Sequence, residues 1–198
     1  MRFKFQMVAL AASFGLAACN GSGGSSGATG GGLSAADARA VDTAYSAYES
    51  RIDNGDLTPT SPSGQAKMAG YMGIGNLGDD GELTALGELN MDVDFDAGTT
   101  TGKASNFALY SGDEMTREAG VSGALDVDGT VSGSSLTARA TGAVSDGESP
   151  ATVDVGLDGT FYDDNGTTLV QGEVAGTVTD DDSGDVTNVD GGFYATEN

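Results

Sequence analysis

The chain predicts an all-β domain, an eight-stranded antiparallel up-and-down β-barrel preceded by one N-terminal α-helix. Three observations carry that expectation. From Ala66 to the end, apolar and polar residues alternate with period two, as half-buried strands require. The alternating segments are short, and most are separated by Asp-, Asn- and Gly-rich turns. Glycine recurs inside them, at Gly70, Gly73, Gly123, Gly133, Gly156, Gly172 and Gly176, where a small barrel must bend. Closure removes the sticky edges that an open sheet exposes, which favours a barrel over the alternative, a two-sheet sandwich.

Residues 1–18 have the parts of a secretory signal peptide. Arg2 and Lys4 form a basic start, Met7 to Leu16 an apolar run, and Leu16-Ala17-Ala18 a small-residue site before Cys19. The run is too short to cross a bilayer. Cys19 is the only cysteine, and its position makes it the expected lipidation site of a bacterial lipoprotein. Its sulfur then serves as an anchor, several acyl chains giving the stable attachment that one cannot. The alternative is an ordinary leader in which Cys19 is incidental. Asn20, where aspartate would favour inner-membrane retention, points to the outer membrane.

Residues 19–33, lipidated Cys19 included, form a flexible tether of Gly, Ser, Ala and Thr that buries too little apolar surface to order itself. The segment 34–55 is an amphipathic helix. Ser34 and Asp37 give a Ser-x-x-Asp start and Asn54-Gly55 a stop. Ala38, Val41, Tyr45, Tyr48 and Ile52 share one face, which either docks on the domain, caps a barrel end or receives a partner. Its acidic polar face does not suit a membrane surface.

Thr58 to Gly64 is turn-rich, and the barrel domain follows over residues 64–198. The clearest strand alternates Leu89, Met91, Val93 and Phe95 with Asn90, Asp92, Asp94 and Asp96. The other seven run over 66–75, 102–110, 120–127, 132–144, 151–162, 168–179 and 186–196. The expected turns are Asp79-Asp80-Gly81, Ala97-Gly98, Asp128-Gly129, Ser145-Asp146-Gly147, Asp163-Asp164-Asn165-Gly166 and Asp180 to Gly184. Eight strands enclose an interior that side chains roughly fill.

Composition narrows the chemistry. Thirty acidic residues face eight basic ones, for a formal charge of −22. Beyond the leader, Arg39, Arg51, Lys67, Lys103, Arg117 and Arg139 are too scattered to form the basic stripe a nucleic acid needs. Such acidity favours solubility, repels anionic headgroups and fits a salty habitat. With one cysteine no intrachain disulfide forms, so packing alone holds the core. Histidine is absent, which removes the commonest general base and metal ligand. There is no G-x-S-x-G elbow either, so no catalytic residue is assigned and no enzyme is expected.

Three strings resemble ligand motifs. Gly73-Ile74-Gly75-Asn76-Leu77-Gly78 fits G-x-G-x-x-G, but Asp79-Asp80 follows where a phosphate-binding helix should begin. Asp92-x-Asp94-x-Asp96 opens like a calcium loop, yet Ala97 and Lys103 stand where glycine and glutamate are needed. Asp180, Asp181, Asp182 and Asp185 form an acidic turn, read as solvated rather than as a metal site. No cofactor or metal is therefore expected. Tyr162, Phe193 and Tyr194 are expected to pack or to line the barrel.

Tyr71-Met72-Gly73, Val93-Asp94-Phe95 with Gly102, Gly159-Thr160-Phe161-Tyr162, Gly172-Glu173-Val174-Ala175-Gly176 and Gly191-Gly192-Phe193-Tyr194-Ala195 together resemble the barrel domain of transferrin-binding protein B-like surface lipoproteins. The resemblance spans roughly Ala66 to Thr196. It implies a barrel on a lipid tether at the outer-membrane surface of a Gram-negative bacterium, binding a protein or small solute. The chain has one barrel where the transferrin binders have two lobes, each with a handle region, so no ligand-binding residue carries over. Two alternatives stand beside it: a structural envelope lipoprotein without a specific ligand, and a lipocalin-like carrier of a small hydrophobic ligand.

Overall fold

The computed structural model describes residues 31–78 and 80–198, so the leader, Cys19 and most of the tether lie outside the described residues. Helix α1 (Ala35–Asp53) starts at Ser34, whose hydroxyl accepts the Asp37 N–H at 3.2 Å. It stops where Gly55 turns to φ 76° and donates to Ile52 O. Ten strands follow: β1 (Thr58–Pro59), β2 (Gln65–Leu77), β3 (Leu83–Asp94), β4 (Thr99–Ser111), β5 (Thr116–Gly120), β6 (Ser122–Ser132), β7 (Ser135–Ser145), β8 (Pro150–Asp164), β9 (Thr167–Asp180) and β10 (Val186–Glu197).

Every pairing is antiparallel, in the order β8-β7-β6-β4-β3-β2-β10-β9, and β9 returns to β8. The sheet is therefore a closed eight-stranded barrel. Strand β5 belongs to the same stave as β6, since both pair with β4 on either side of Val121. Six of the eight expected strands fall largely within one observed strand each, the expected 120–127 strand lies within the β5–β6 stave, and the expected 132–144 strand is corrected: it begins on the last residue of β6 and crosses a reversal into β7.

Four further local expectations are corrected. Asp128-Gly129 is strand, not turn: Gly129 pairs with Thr100 and Ala138, and a Cβ there would lie 2.6 Å from the Ala138 Cα. That glycine serves close strand approach, and the reversal comes at Gly133-Ser134, where Gly133 has φ 62°. The β4 to β5 turn, which the pattern does not announce, uses positive φ at Gly112 and Met115. Phe95 falls just past β3 in the turn, its ring edge-on to Phe161 at 5.1 Å. Thr58–Pro59, inside the turn-rich stretch, lies along Asp163 and Tyr162 at the end of β8 as a short edge strand, a place that tolerates proline.

The interior is a packed core. Met68, Met72, Leu89, Phe107, Leu125, Leu136, Leu157, Phe161 and Phe193 are all at most 2 % exposed, with Met91 beside them. A second apolar cluster lies outside the barrel, under α1. Ala38 and Val41 are buried there against Leu86, Ala108, Tyr110, Tyr162, Leu169 and Tyr194, with Tyr45, Tyr48 and Ile52 packed around them. The helix face named from the sequence thus docks on the side wall rather than capping an end.

Close strand approach makes a direct stability test. A Cβ at Gly172 would lie 2.5 Å from the Gly159 Cα, and one at Gly176 2.7 Å from the Val155 Cα. At Gly156 the nearest atom is 3.7 Å away. Gly172→Ala and Gly176→Ala should each cost about 1–3 kcal/mol in urea unfolding. Gly156→Ala should stay within about 0.5 kcal/mol. Equal midpoints for all three would contradict this strand spacing.

Candidate functional site

Strand alternation decides which residues the outer wall offers to α1. On β10, Phe193 points into the core and Tyr194 outwards. On β2, Met72 points in and Tyr71 outwards. Because β2 and β10 are neighbours, Tyr71 pairs with Tyr194 and Gly73 with Gly192. The two tyrosine rings lie 5.9 Å apart, tilted by 53°, and Tyr48 from the helix adds a third ring 5.3 Å from Tyr194.

Beside these rings the wall lacks side chains, and a groove of about 300 Å³ opens between α1 and strands β2, β3 and β10. Gly73, Gly75, Gly191 and Gly192 form its floor, Tyr45, Tyr71, Tyr194, Leu86 and Met115 its apolar sides, and Asp42 and Asp190 stand at it from opposite elements. At Gly192 a Cβ would meet the tip of the Tyr45 ring at 2.5 Å, so a larger residue would have to displace that ring. Gly73 is different, with nothing closer than 3.8 Å to a Cβ, so a side chain could start there at ordinary contact distance. The string Gly73 to Gly78 is the end of strand β2, with a bulge, together with the first residue past it; Asn76, at φ 59°, donates to the Asp190 carboxylate at 2.6 Å.

The groove continues into a wider depression bordered by Glu82, Asp113 and Tyr110, next to the turns joining β2 to β3 and β4 to β5. Alternation puts the β7–β8 and β9–β10 turns at the same barrel end, so Glu148 and the Asp180 to Asp185 cluster share it. Electrostatics inside follow from burial and these acids. The Tyr45 hydroxyl is pushed up to about 12, by burial first and then by Glu49. Burial raises Tyr71 as well, with Glu88 and Asp37 adding to it, and Tyr194 through burial and the neighbouring tyrosines.

Contacts at both ends fix the helix over the groove. At the entry, Gly31 O accepts from Arg117, Gly32 N–H donates to Asn106 Oδ1 at 2.6 Å, and the Tyr110 hydroxyl donates to Leu33 O at 2.6 Å. At the exit, Arg51 clasps Asp164 with two bonds of 2.6 and 2.8 Å. The other basic side chains are engaged too: Arg39 with Glu114, Lys67 with Asp92, Lys103 with Asp126 and Arg139 with Asp154.

The other flagged residues have local roles. In the acidic turn, the Asp180 carboxylate accepts the N–H groups of Asp182 and Ser183, which holds its pKa below the usual value, and Asp181 accepts the Thr152 hydroxyl. Asp92 meets Lys67, Asp94 accepts the Ala97 N–H, and Asp96 accepts the Gly64 N–H. Among the described residues no three acidic side chains converge as a metal site would need. Phe193 is in the core, while Tyr162 and Tyr194 lie under the helix. The groove itself is not among the sequence expectations, which take Gly73 as a bending point, Gly75 as part of a G-x-G-x-x-G string and Gly191 and Gly192 as part of a family-like segment. The signal available was parity: glycines on the same outward face as Tyr71 and Tyr194.

Comparison of the chain with protein-family models and with curated proteins returned no match.

Two measurements check these assignments. The Asp164 carboxyl is held below its ordinary value of 3.8, first by its hydrogen bonds with Arg51. Its contribution is complete above that value and is lost as pH falls through it towards the lower folded pKa. Arg51→Ala should cost about 1 kcal/mol at pH 7, and the difference from wild type should shrink in melts below about pH 3. For the acidic turn, calcium and sodium chloride at matched ionic strength should move the melting temperature alike. A calcium-specific rise, lost in Asp181→Asn with Asp185→Asn, would overturn the solvated reading.

Proposed function

We propose that this protein is a lipid-anchored outer-membrane lipoprotein of the transferrin-binding protein B-like kind, exposed at the cell surface, whose barrel is a rigid platform for binding a small solute or a projecting part of a partner protein. The observation that carries the binding role is the glycine-floored groove between α1 and the seam of β2 and β10. Concave sites with apolar walls and a few placed polar groups are where small ligands bind. Cys19 behind an apolar leader supports the anchor, and the stretch from Asn20 supports display at a distance from the membrane.

The filled interior favours the outer groove over a lipocalin-like lumen, since Met91, Phe107 and Leu125 occupy the space a carried ligand would need. A purely structural envelope role gives no reason for an open groove. Neither reading assigns the protein a catalytic step.

Anchor, exposure and binding are separable by experiment. Cells given a labelled fatty acid should label the wild-type protein and leave Cys19→Ala unlabelled. Protease added to intact cells should remove the barrel. Absence of acyl label sinks the anchor, and resistance to protease until the outer membrane is permeabilised sinks the surface assignment. Gly73→Val would project a side chain into the groove, its Cβ at an ordinary contact distance of 3.8 Å from the Gly192 carbonyl oxygen. A saturable ligand of intact cells should therefore be lost in Gly73→Val, whereas capture unaffected by that change would move the site elsewhere.

A further inference from the structure

We propose that the groove under α1 is a site for a small organic cation of the alkylammonium class, an assignment that rests on the binding reading above and names its ligand. Three independent properties of the groove converge on that chemistry.

The first is its aromatic surface. Tyr71 and Tyr194, 5.9 Å apart and tilted by 53°, line the groove from the barrel wall, and Tyr45 lines it from the helix. Ring faces attract weakly hydrated cations, most strongly where water is displaced. Leu86 and Met115 offer apolar contact for the alkyl groups such a cation carries.

Charge is the second. Asp42 comes from the helix and Asp190 from β10, so acidic residues line the groove from two elements, Asp190 also accepting the Asn76 amide N–H. Among the described residues no lysine or arginine lines the groove, and all six basic side chains have partners of their own. The acidic turns at the adjoining barrel end extend the negative potential to the approach path and draw cations in. Anions are disfavoured by the same field. A calcium or magnesium ion is a poor occupant too, since it takes six or more oxygen ligands and no three acidic side chains converge among the described residues. An alkylammonium ion needs no such cage.

Size is the third. A volume of about 300 Å³ lies at the lower end of the range of small-molecule sites. It suits a compact head group rather than a long acyl chain or a peptide.

Choline and 3,3-dimethyl-1-butanol separate charge from shape, because the second has the same branching with carbon in place of the ammonium nitrogen. The full chain, held in a non-ionic detergent, is titrated with each by calorimetry and by two-dimensional NMR, with tetramethylammonium as a further cation. Choline should bind saturably, at least tenfold tighter than the butanol, and shift resonances of Tyr45, Tyr71 and Gly192. The double change Asp42→Asn with Asp190→Asn should weaken choline at least fivefold and leave the butanol unchanged. Gly73→Val should abolish both, and circular dichroism confirms that each variant keeps its strands. Equal affinity for the two isosteres, lost in Gly73→Val, would refute the cation assignment while leaving the groove as a binding site. If neither choline nor tetramethylammonium saturates the wild-type groove, or if their binding ignores all three substitutions, the cation assignment is wrong.

Discussion

The pairing of β2 with β10 is the constraint on which the rest depends. The first and last staves of the barrel meet there, from Met68 against Glu197 to Ile74 against Gly191, and only that meeting turns a curved sheet into a closed one. Closure gives each inward side chain neighbours all round, which a chain with one cysteine needs in place of cross-links. It also brings residues more than a hundred positions apart into register. Gly73 opposite Gly192 and Tyr71 opposite Tyr194 exist as pairs only because the barrel is shut.

The same seam explains where the helix lies. An outer barrel wall facing water is best polar, and most of this one is, with cross-strand pairs such as Lys103 with Asp126 and Arg139 with Asp154. Around the seam the outward positions are instead tyrosine, leucine and glycine, and α1 covers them. Its buried contact is narrow, Ala38 and Val41 alone being fully enclosed. Most helical stability in proteins comes from packing rather than propensity, and the docking relies on tyrosine packing plus the polar ties at Leu33 and Arg51. The outcome is a helix set above a floor of glycines at a height fixed by the Tyr45 ring against Gly192. The groove is what remains where glycine supplies no side chain to fill the gap.

Much of the architecture was legible because it is written locally. Alternation marks a strand within six residues, and Asn165-Gly166 with both φ positive is the hairpin its sequence announces. Where local signals have two meanings, the reading failed. Asp128-Gly129 has the composition of a turn, yet its glycine is there because Ala138 sits too close for a Cβ. The two uses of glycine, freedom of φ and absence of bulk, look alike in a sequence. The groove was illegible for a deeper reason, since it is a property of register. Tyr71-Met72-Gly73 and Gly191-Gly192-Phe193-Tyr194 are visible separately, but their outward residues combine only once the pairing and its parity are known.

The acidity resolves into distinct physical uses. On strands, carboxylates occupy outward positions and meet the few basic side chains across the sheet. In turns they serve the backbone: Asp94, Asp146 and Asp180 each accept N–H groups of residues two or three further on, the Asx geometry that makes aspartate a turn former. The second use leaves net negative charge on the surface, because a backbone N–H satisfies a carboxylate's hydrogen bonding without neutralising it. With every described basic side chain already engaged, that excess has no internal counterion. The field it creates is widely spread over solvated strands, where water and salt screen it. It is screened least where low-dielectric walls confine it, and the groove between the tyrosines of the seam and the underside of α1 is such a place.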